Sequence, residues 1–346
     1  MTFPFTLYLP AFAGALATAL IALPFWRKWC LRTGLVDDPG HRKIHEAPVP
    51  LAGGLTVMTA MLAPALLGLL ALWWQHSNAN AGLPAAESGA HAHVTLWDST
   101  TAFLLSYGLS RRGLELAAIF LGAFGMLLVG WLDDKRELRP AAKFAGQLLV
   151  AALVAAAGAR ITLFVPSRVF HYAITILWIL TVINAFNFMD NMNGLCAGLG
   201  VIGALYFAAI SAGDGQYLVA LIALLVGGAL LGFLPYNFPR ARAFLGDAGS
   251  HLVGYLLAVL AILPHFYTRQ HPRVFAVFSP LLILAVPLGD LVWVVVFRWR
   301  RGKPFYIGDT NHLSHRLVRL GLTRTQAVLV IWLIATVLGA LAFALV

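Results

Sequence analysis

An all-α, polytopic membrane fold is predicted from three observations. Of the 346 residues, 60% are hydrophobic and only 11% are charged, whereas a soluble domain carries about a quarter charged residues. Mean hydropathy is +0.82. Several apolar runs reach the roughly 20 residues that span a bilayer as a helix.

About ten transmembrane helices follow, at roughly 5–26, 51–74, 113–131, 143–158, 171–187, 194–212, 217–235, 249–264, 274–297 and 326–346, and 1–346 is read as one domain. The first run follows no basic region and lacks a small-residue cleavage site, so it reads as a span and not a signal peptide. Alternation sorts the connections into two sets. The set 27–50, 132–142, 188–193, 236–248 and 298–325, with Lys143 at its border, holds 18 of the 24 Lys and Arg. The other holds 6. The positive-inside rule makes the first set cytoplasmic and puts both termini outside, in a plasma (cell inner) membrane. The net charge of +10 thereby reads as membrane orientation, not as a nucleic-acid surface. Cys30 and Cys196 are isolated and suggest neither a disulfide nor a metal site. Loop 75–112, rich in Ala, Gly, Ser and Pro, reads as a flexible outer connector. Its His76, His91 and His93 have no Cys or clustered carboxylates nearby, so a solvated loop is expected rather than a metal site.

The chemistry lies in the cytoplasmic stretches. Loop 27–50 carries Asp37, Asp38 and the compact basic group Arg42, Lys43 and His45, then Gly53–Gly54. Asp133 and Asp134 close the third span, followed by Lys135, Arg136, Arg139 and Lys143. Two adjacent carboxylates at a helix C-terminus oppose the dipole and repel each other, which costs stability unless cations offset it. In Thr181–Leu195, Asn184, Asn187 and Asn191 recur at helical spacing and are expected on one face, with Asp190 just off it and Asn193 beyond. Such polar residues at a membrane edge are a functional-site hypothesis by default, although a polar helix cap and turn is the plain alternative. Asp247 sits between small residues at a helix start, where it suits either the dipole or a close ligand approach. Asp290 lies inside the ninth span and is expected to face the bundle interior and find a partner there. His312, His315, Arg316 and Arg319 are predicted to share a helix face, suited to a diphosphate or to anionic lipid.

All of these groups fall on one side of the membrane. Carboxylates, carboxamides, His and Arg converging there describe a metal-assisted phosphoryl-transfer site, with Mg²⁺ bridging substrate phosphates.

Five stretches in order, DDPGHRKIHEAPVPLAGG at 37–54, DDKRELRPAAKFAGQ at 133–147, NAFNFMDNMNGL at 184–195, FLGDAGS at 244–250 and NHLSHRL at 311–317, resemble the polyprenyl-phosphate N-acetylhexosamine-1-phosphate transferase family. The resemblance implies a membrane enzyme with a cytoplasm-facing cleft. It would move a sugar 1-phosphate from a UDP-N-acetylhexosamine to undecaprenyl phosphate with Mg²⁺, or Mn²⁺ in its place, releasing UMP. That is the first membrane step of cell-envelope polysaccharide synthesis. The partners so implied are the UDP-sugar, the polyprenyl phosphate and membrane lipid, with no nucleic acid; a homodimer is compatible with it. By matching position, Asp247 and Asn187 are the metal ligands. Asp133 and Asp134 adjoin the lipid phosphate, with Lys143 downstream. His312, His315 and Arg316 meet the nucleotide-sugar diphosphate. Arg42, Lys43 and His45 belong to the N-acetylglucosamine-type branch, and Asn184, Asp190 and Asn193 are assigned to substrate. Two positions depart from the family pattern. Asn193 stands where an aspartate is common and cannot ionise. Ser314 stands beside His315 where a second imidazole is common, which argues against the muramoyl-pentapeptide branch. The readings that compete are that branch and, from another class, a secondary transporter with a midplane site.

Overall fold

The computed structural model describes residues 5–38, 47–80, 97, 99–163, 165–264, 266, 274–304 and 310–346. Its helices are α1 (Phe5–Thr33), α2 (Gly53–Asn80), α3 (Ser99–Arg136), α4 (Pro140–Ala157), α5 (Arg168–Met189), α6 (Leu195–Gly213), α7 (Tyr217–Asn237), α8 (Gly246–Leu260), α9 (Ser279–Ile283), α10 (Ala285–Arg300), α11 (Leu313–Arg319) and α12 (Arg324–Ala344). Among the described residues, eight helices are long and apolar enough to cross a membrane alone. The bent pair 275–283 and 285–300 makes a ninth. Exposed apolar side chains such as Ile21, Leu114, Leu149 and Val169 give the bundle the lipid-facing coat of a membrane protein.

Local sequence explains several boundaries. Pro140 opens α4, where a missing N–H costs nothing. Thr323 and Gln326 form a reciprocal capping box at the start of α12. Gly194, at φ 77°, takes the left-handed turn that separates α5 from α6.

Three segments differ from the sequence expectation. The connector at 75–112 is shorter than expected: α2 runs to Asn80, and α3 begins at Ser99, not near 113. The early turns of α3 have their own small core, where Leu105 packs with Leu7, Tyr8, Leu72 and Ala220. Arg111 and Arg112 interrupt hydropathy there without ending the helix. The ninth span is not straight; it breaks at Leu284 with a 71° bend. Pro287 has no N–H for the carbonyl four residues back, at Ile283, and α9 stops there.

The third difference is α8. It has only fifteen residues, about 22 Å at the usual rise, and Ala248 to Leu260 are all buried. It is the axis of the bundle, packed against α2, α3, α5 and α6. Two glycines seat its first turn. A Cβ on Gly130 of α3 would lie 2.3 Å from the Asp247 carbonyl oxygen, and one on Gly54 of α2 would lie 2.7 Å from the Gly249 nitrogen. Only hydrogen at both positions lets the helix ends meet this closely. Strands β1 (Val36–Asp37) and β2 (Val49–Pro50) pair antiparallel and close the loop between α1 and α2. The chain after β2 then hydrogen-bonds to the loop before α8: Phe244 N–H donates to Pro50, and Gly53 and Gly54 N–H donate to Phe244 and Leu245.

Candidate active site at the polar end of the bundle

The last turn of α5 joins two clusters of polar side chains. On one side Asn187 Nδ2 donates to Asp247 Oδ1 and, at 3.0 Å, to Ser250 Oγ on α8. On the other side Phe188 meets the His312 ring edge-on, with centroids 5.6 Å apart, and lies 5.1 Å below the Arg298 guanidinium. One residue step on α5 therefore turns from the carboxylate cluster to the histidine cluster.

The carboxylate cluster is built from α3, α4 and α8. Lys143 Nζ lies 2.6 Å from Asp133 Oδ2 and 3.5 Å from Asp247 Oδ2. Asp133 is 8% exposed and its other oxygen accepts from Leu138 N–H. Asp247 is 35% exposed, so it is the carboxylate of this pair that faces open space. Asp134 has a different task. Its Oδ1 accepts the Asp247 N–H at 2.8 Å and its Oδ2 the Ala248 N–H at 3.0 Å. These are two of the donors that a helix start leaves without intrahelical partners. Asp134 thus caps α8 from α3 and fixes the residue that carries Asp247.

Asp190 lies in the turn after α5, and its carboxyl is pushed up to about 8, first by burial and then by the charges of Asp247 and Asp134. Asp133 and Asp247 share the one lysine, Lys143. Among the described residues no three His, Cys, Asp or Glu converge as a cage. A hard divalent cation fits this donor set: it takes one or two protein oxygens and completes its shell with water and substrate phosphate. The Asp247 carboxylate and the Asn187 amide oxygen are the groups suited to it.

The histidine cluster is built from α10, α11 and the turn after α5. His312 is the N-cap of α11, outside the helix, so it does not continue the face of His315, Arg316 and Arg319 as the spacing predicted. The rings of His312 and His315 are still only 6.3 Å apart. Burial lowers the His315 pKa, as do the neighbouring charges of His312, Arg319 and Arg324, with Asp290 opposing. Arg316 stacks on Trp293 of α10 at 4.5 Å, while Arg319 Nη1 donates to the Thr310 carbonyl. Ser314 Oγ donates to Asn191 Oδ1 at 2.7 Å.

Other expectations change in detail. Asn191 does not share a helix face with Asn184 and Asn187, because α5 ends at Met189; its amide instead bonds the Phe188 carbonyl and Ser314. Asn184 points into the bundle, to Gln147 Oε1 and the Leu180 carbonyl. Gln147 in turn adjoins the buried His251 at 3.4 Å. This layer lies one turn before Asn187 on α5 and supports the site from below. Asn193 donates to the Pro239 carbonyl and ties the turn to the loop before α8. Arg42, Lys43 and His45, and outer His91 and His93, lie outside the described residues. Gln147, Phe188, Ser250, His251 and Arg298 were not singled out from the sequence. All but Arg298 sit in or next to a recognised motif, yet each gains its meaning only from partners far along the chain.

A profile of glycosyl transferase family 4 matches residues 116–265, which takes in both aspartates of α3, the end of α5 and α8. The chain is 32% identical to the probable undecaprenyl-phosphate N-acetylglucosaminyl 1-phosphate transferase of Bacillus subtilis, over 94% of this chain and 81% of that protein. It is 31% identical to the decaprenyl-phosphate N-acetylglucosaminephosphotransferase of Mycobacterium tuberculosis strain H37Rv, over 87% and 73%. With the undecaprenyl-phosphate alpha-N-acetylglucosaminyl 1-phosphate transferase of Escherichia coli K12 it shares 27% identity, over 92% and 78%.

Proposed function

The chain belongs to glycosyl transferase family 4, and from that membership we propose that it transfers N-acetylglucosamine 1-phosphate from UDP-N-acetylglucosamine to undecaprenyl phosphate, releasing UMP. The observation that carries the reading is the meeting of two unlike clusters at the end of α5. One is acidic and suited to a cation; the other is basic and aromatic and suited to a nucleotide diphosphate. The relatives act on a polyprenyl phosphate and an N-acetylglucosamine phosphate by name, which favours this reading over the muramoyl-pentapeptide branch. The transporter reading retains one supporting feature, the broken α9–α10 span, but the acidic cluster lies at a helix end and not within that break.

In the proposed step an oxygen of the lipid phosphate forms a bond to the β-phosphorus of the UDP-sugar. The bond from that phosphorus to the bridging oxygen breaks, and UMP leaves with that oxygen. The lipid phosphate is already largely ionised near neutral pH, its second pKa being about 6, so no protein base is required. Asp247 and Asn187 would hold Mg²⁺, or Mn²⁺ in its place, which when bound offsets phosphate charge. Lys143 adds a fixed positive charge beside Asp247. His312, His315 and Arg316 orient the diphosphate and exclude competing poses. The apolar coat of the bundle accommodates the prenyl chain.

Purified protein given UDP-N-acetylglucosamine, undecaprenyl phosphate and Mg²⁺ is expected to form UMP and a lipid diphosphate sugar. Release of UDP would mean attack at the anomeric carbon and would refute the mechanism. With the buried α8 counted as a tenth crossing beside the nine spans above, the charge asymmetry further supports a cytoplasmic site in the plasma membrane, with both termini outside. Both native cysteines are buried, which allows a clean labelling test. A cysteine introduced at Thr162 should react with an impermeant reagent in intact cells, and one at Lys303 should not; the opposite pattern inverts the topology.

A further inference from the structure

A carboxylate inside a membrane bundle is costly unless it is paired, and Asp290, 4% exposed, is paired twice. Its Oδ2 lies 2.6 Å from Nδ1 of His312, and its Oδ1 accepts the Leu313 N–H at 2.6 Å. We propose that Asp290 is the positioning residue for His312, fixing which ring nitrogen the site receives and where it points; the proposal rests on the transferase function given above.

The two bonds act on different parts of the same residue pair. The bond to Leu313 holds the backbone at the start of α11. The bond to His312 holds the ring, commits Nδ1 to the carboxylate and leaves Nε2 as the remaining nitrogen. A histidine whose one nitrogen is tied to a carboxylate has its tautomer and orientation set. The Phe188 ring, at 80° to the imidazole, removes the remaining freedom of tilt. Ser314, next along α11, is tied to Asn191 in the turn after α5. The direction of His312 is therefore set relative to Asn187 and, through it, to Asp247.

The bend at Leu284 belongs to this arrangement. It redirects the ninth span by 71° and so sets the course of α10, which carries Asp290 a turn and a half into the helix. A carboxylate that served only to cap α11 would need just the Leu313 bond. The second, to the ring, is the one that bears on chemistry, because a free imidazole interconverts between tautomers and rotamers.

The test uses the full-length protein labelled with ¹⁵N-histidine, with the His312 signal assigned by its loss in His312→Gln. In the native protein Nδ1 of His312 is expected to be protonated. Asp290→Asn keeps the side-chain size and one acceptor oxygen, but it is expected to convert His312 to a mixture of tautomers. It should also lower kcat about tenfold or more, with KM for the UDP-sugar changed less than about threefold and the thermal midpoint nearly kept. Asp290→Glu, which retains the carboxylate, is expected to retain Nδ1 protonation, and it serves if the asparagine variant does not fold. An unchanged His312 signal in Asp290→Asn overturns the proposal, and so does a changed signal with native turnover. If the native protein releases no UMP while the signal still shifts, the transferase reading fails and the Asp290–His312 coupling stands.

Discussion

Replacing Asp247 by Asn is expected to lower turnover by more than about 100-fold and to leave the fold nearly unchanged. Residues that merely support metal ligands typically cost about 10- to 100-fold when removed; a carboxylate that itself meets the cation should cost more. The substitution keeps shape and retains an oxygen facing the Asn187 amide. Lys143 keeps its closer partner, Asp133, at 2.6 Å. The backbone N–H of residue 247 still reaches Asp134, so the cap on α8 survives. Thermal unfolding and Mg²⁺-dependent UMP release on the same preparation check both halves. A variant with more than about a tenth of native turnover would remove Asp247 from the metal site.

The adjacent aspartates of α3 should separate from each other. Asp134→Asn turns an amide N–H₂ toward one of two helix N–H groups, leaving a donor without an acceptor. An unsatisfied buried donor costs about 1–3 kcal/mol, so this variant should lose stability along with activity. Asp133→Asn instead frees Lys143 to move from Asp133 onto Asp247, 3.5 Å away. It should lose activity with a smaller change in thermal midpoint. Equal midpoints for the two variants, with Asp134→Asn inactive, would make Asp134 a substrate contact and not a cap.

The sequence shows the class of fold and the side of the bundle that carries the chemistry, because hydropathy and charge asymmetry are sums over many residues. It shows the Asp247–Asn187 pairing only by way of family resemblance, since nothing in local spacing links positions sixty apart. The separate duties of Asp133 and Asp134 are hidden for a physical reason: neighbours on a helix differ by about 100° in direction, and only packing decides which one meets α8. The partner of Asp290 is legible as a need, not as an identity. A buried carboxylate demands a donor, and several histidines and arginines could supply one. Asn191 falls off the expected face because periodicity continues in a sequence past the point where the helix stops. Arg42, Lys43 and His45 remain a sequence expectation.

The shortness of α8 determines how the site relates to bilayer thickness. At about 22 Å it falls short of a hydrocarbon core of about 30 Å, and none of its sides faces lipid. The bilayer therefore cannot set its depth through hydrophobic matching, which acts on the helices of the outer ring. Asp247 takes its depth from its protein neighbours: the Asp134 clasp, the close seats at Gly54 and Gly130, and the loop pinned to β2. Thickening or thinning the membrane tilts the perimeter first, while the Asp247 carboxylate keeps its place relative to Lys143 and Asn187.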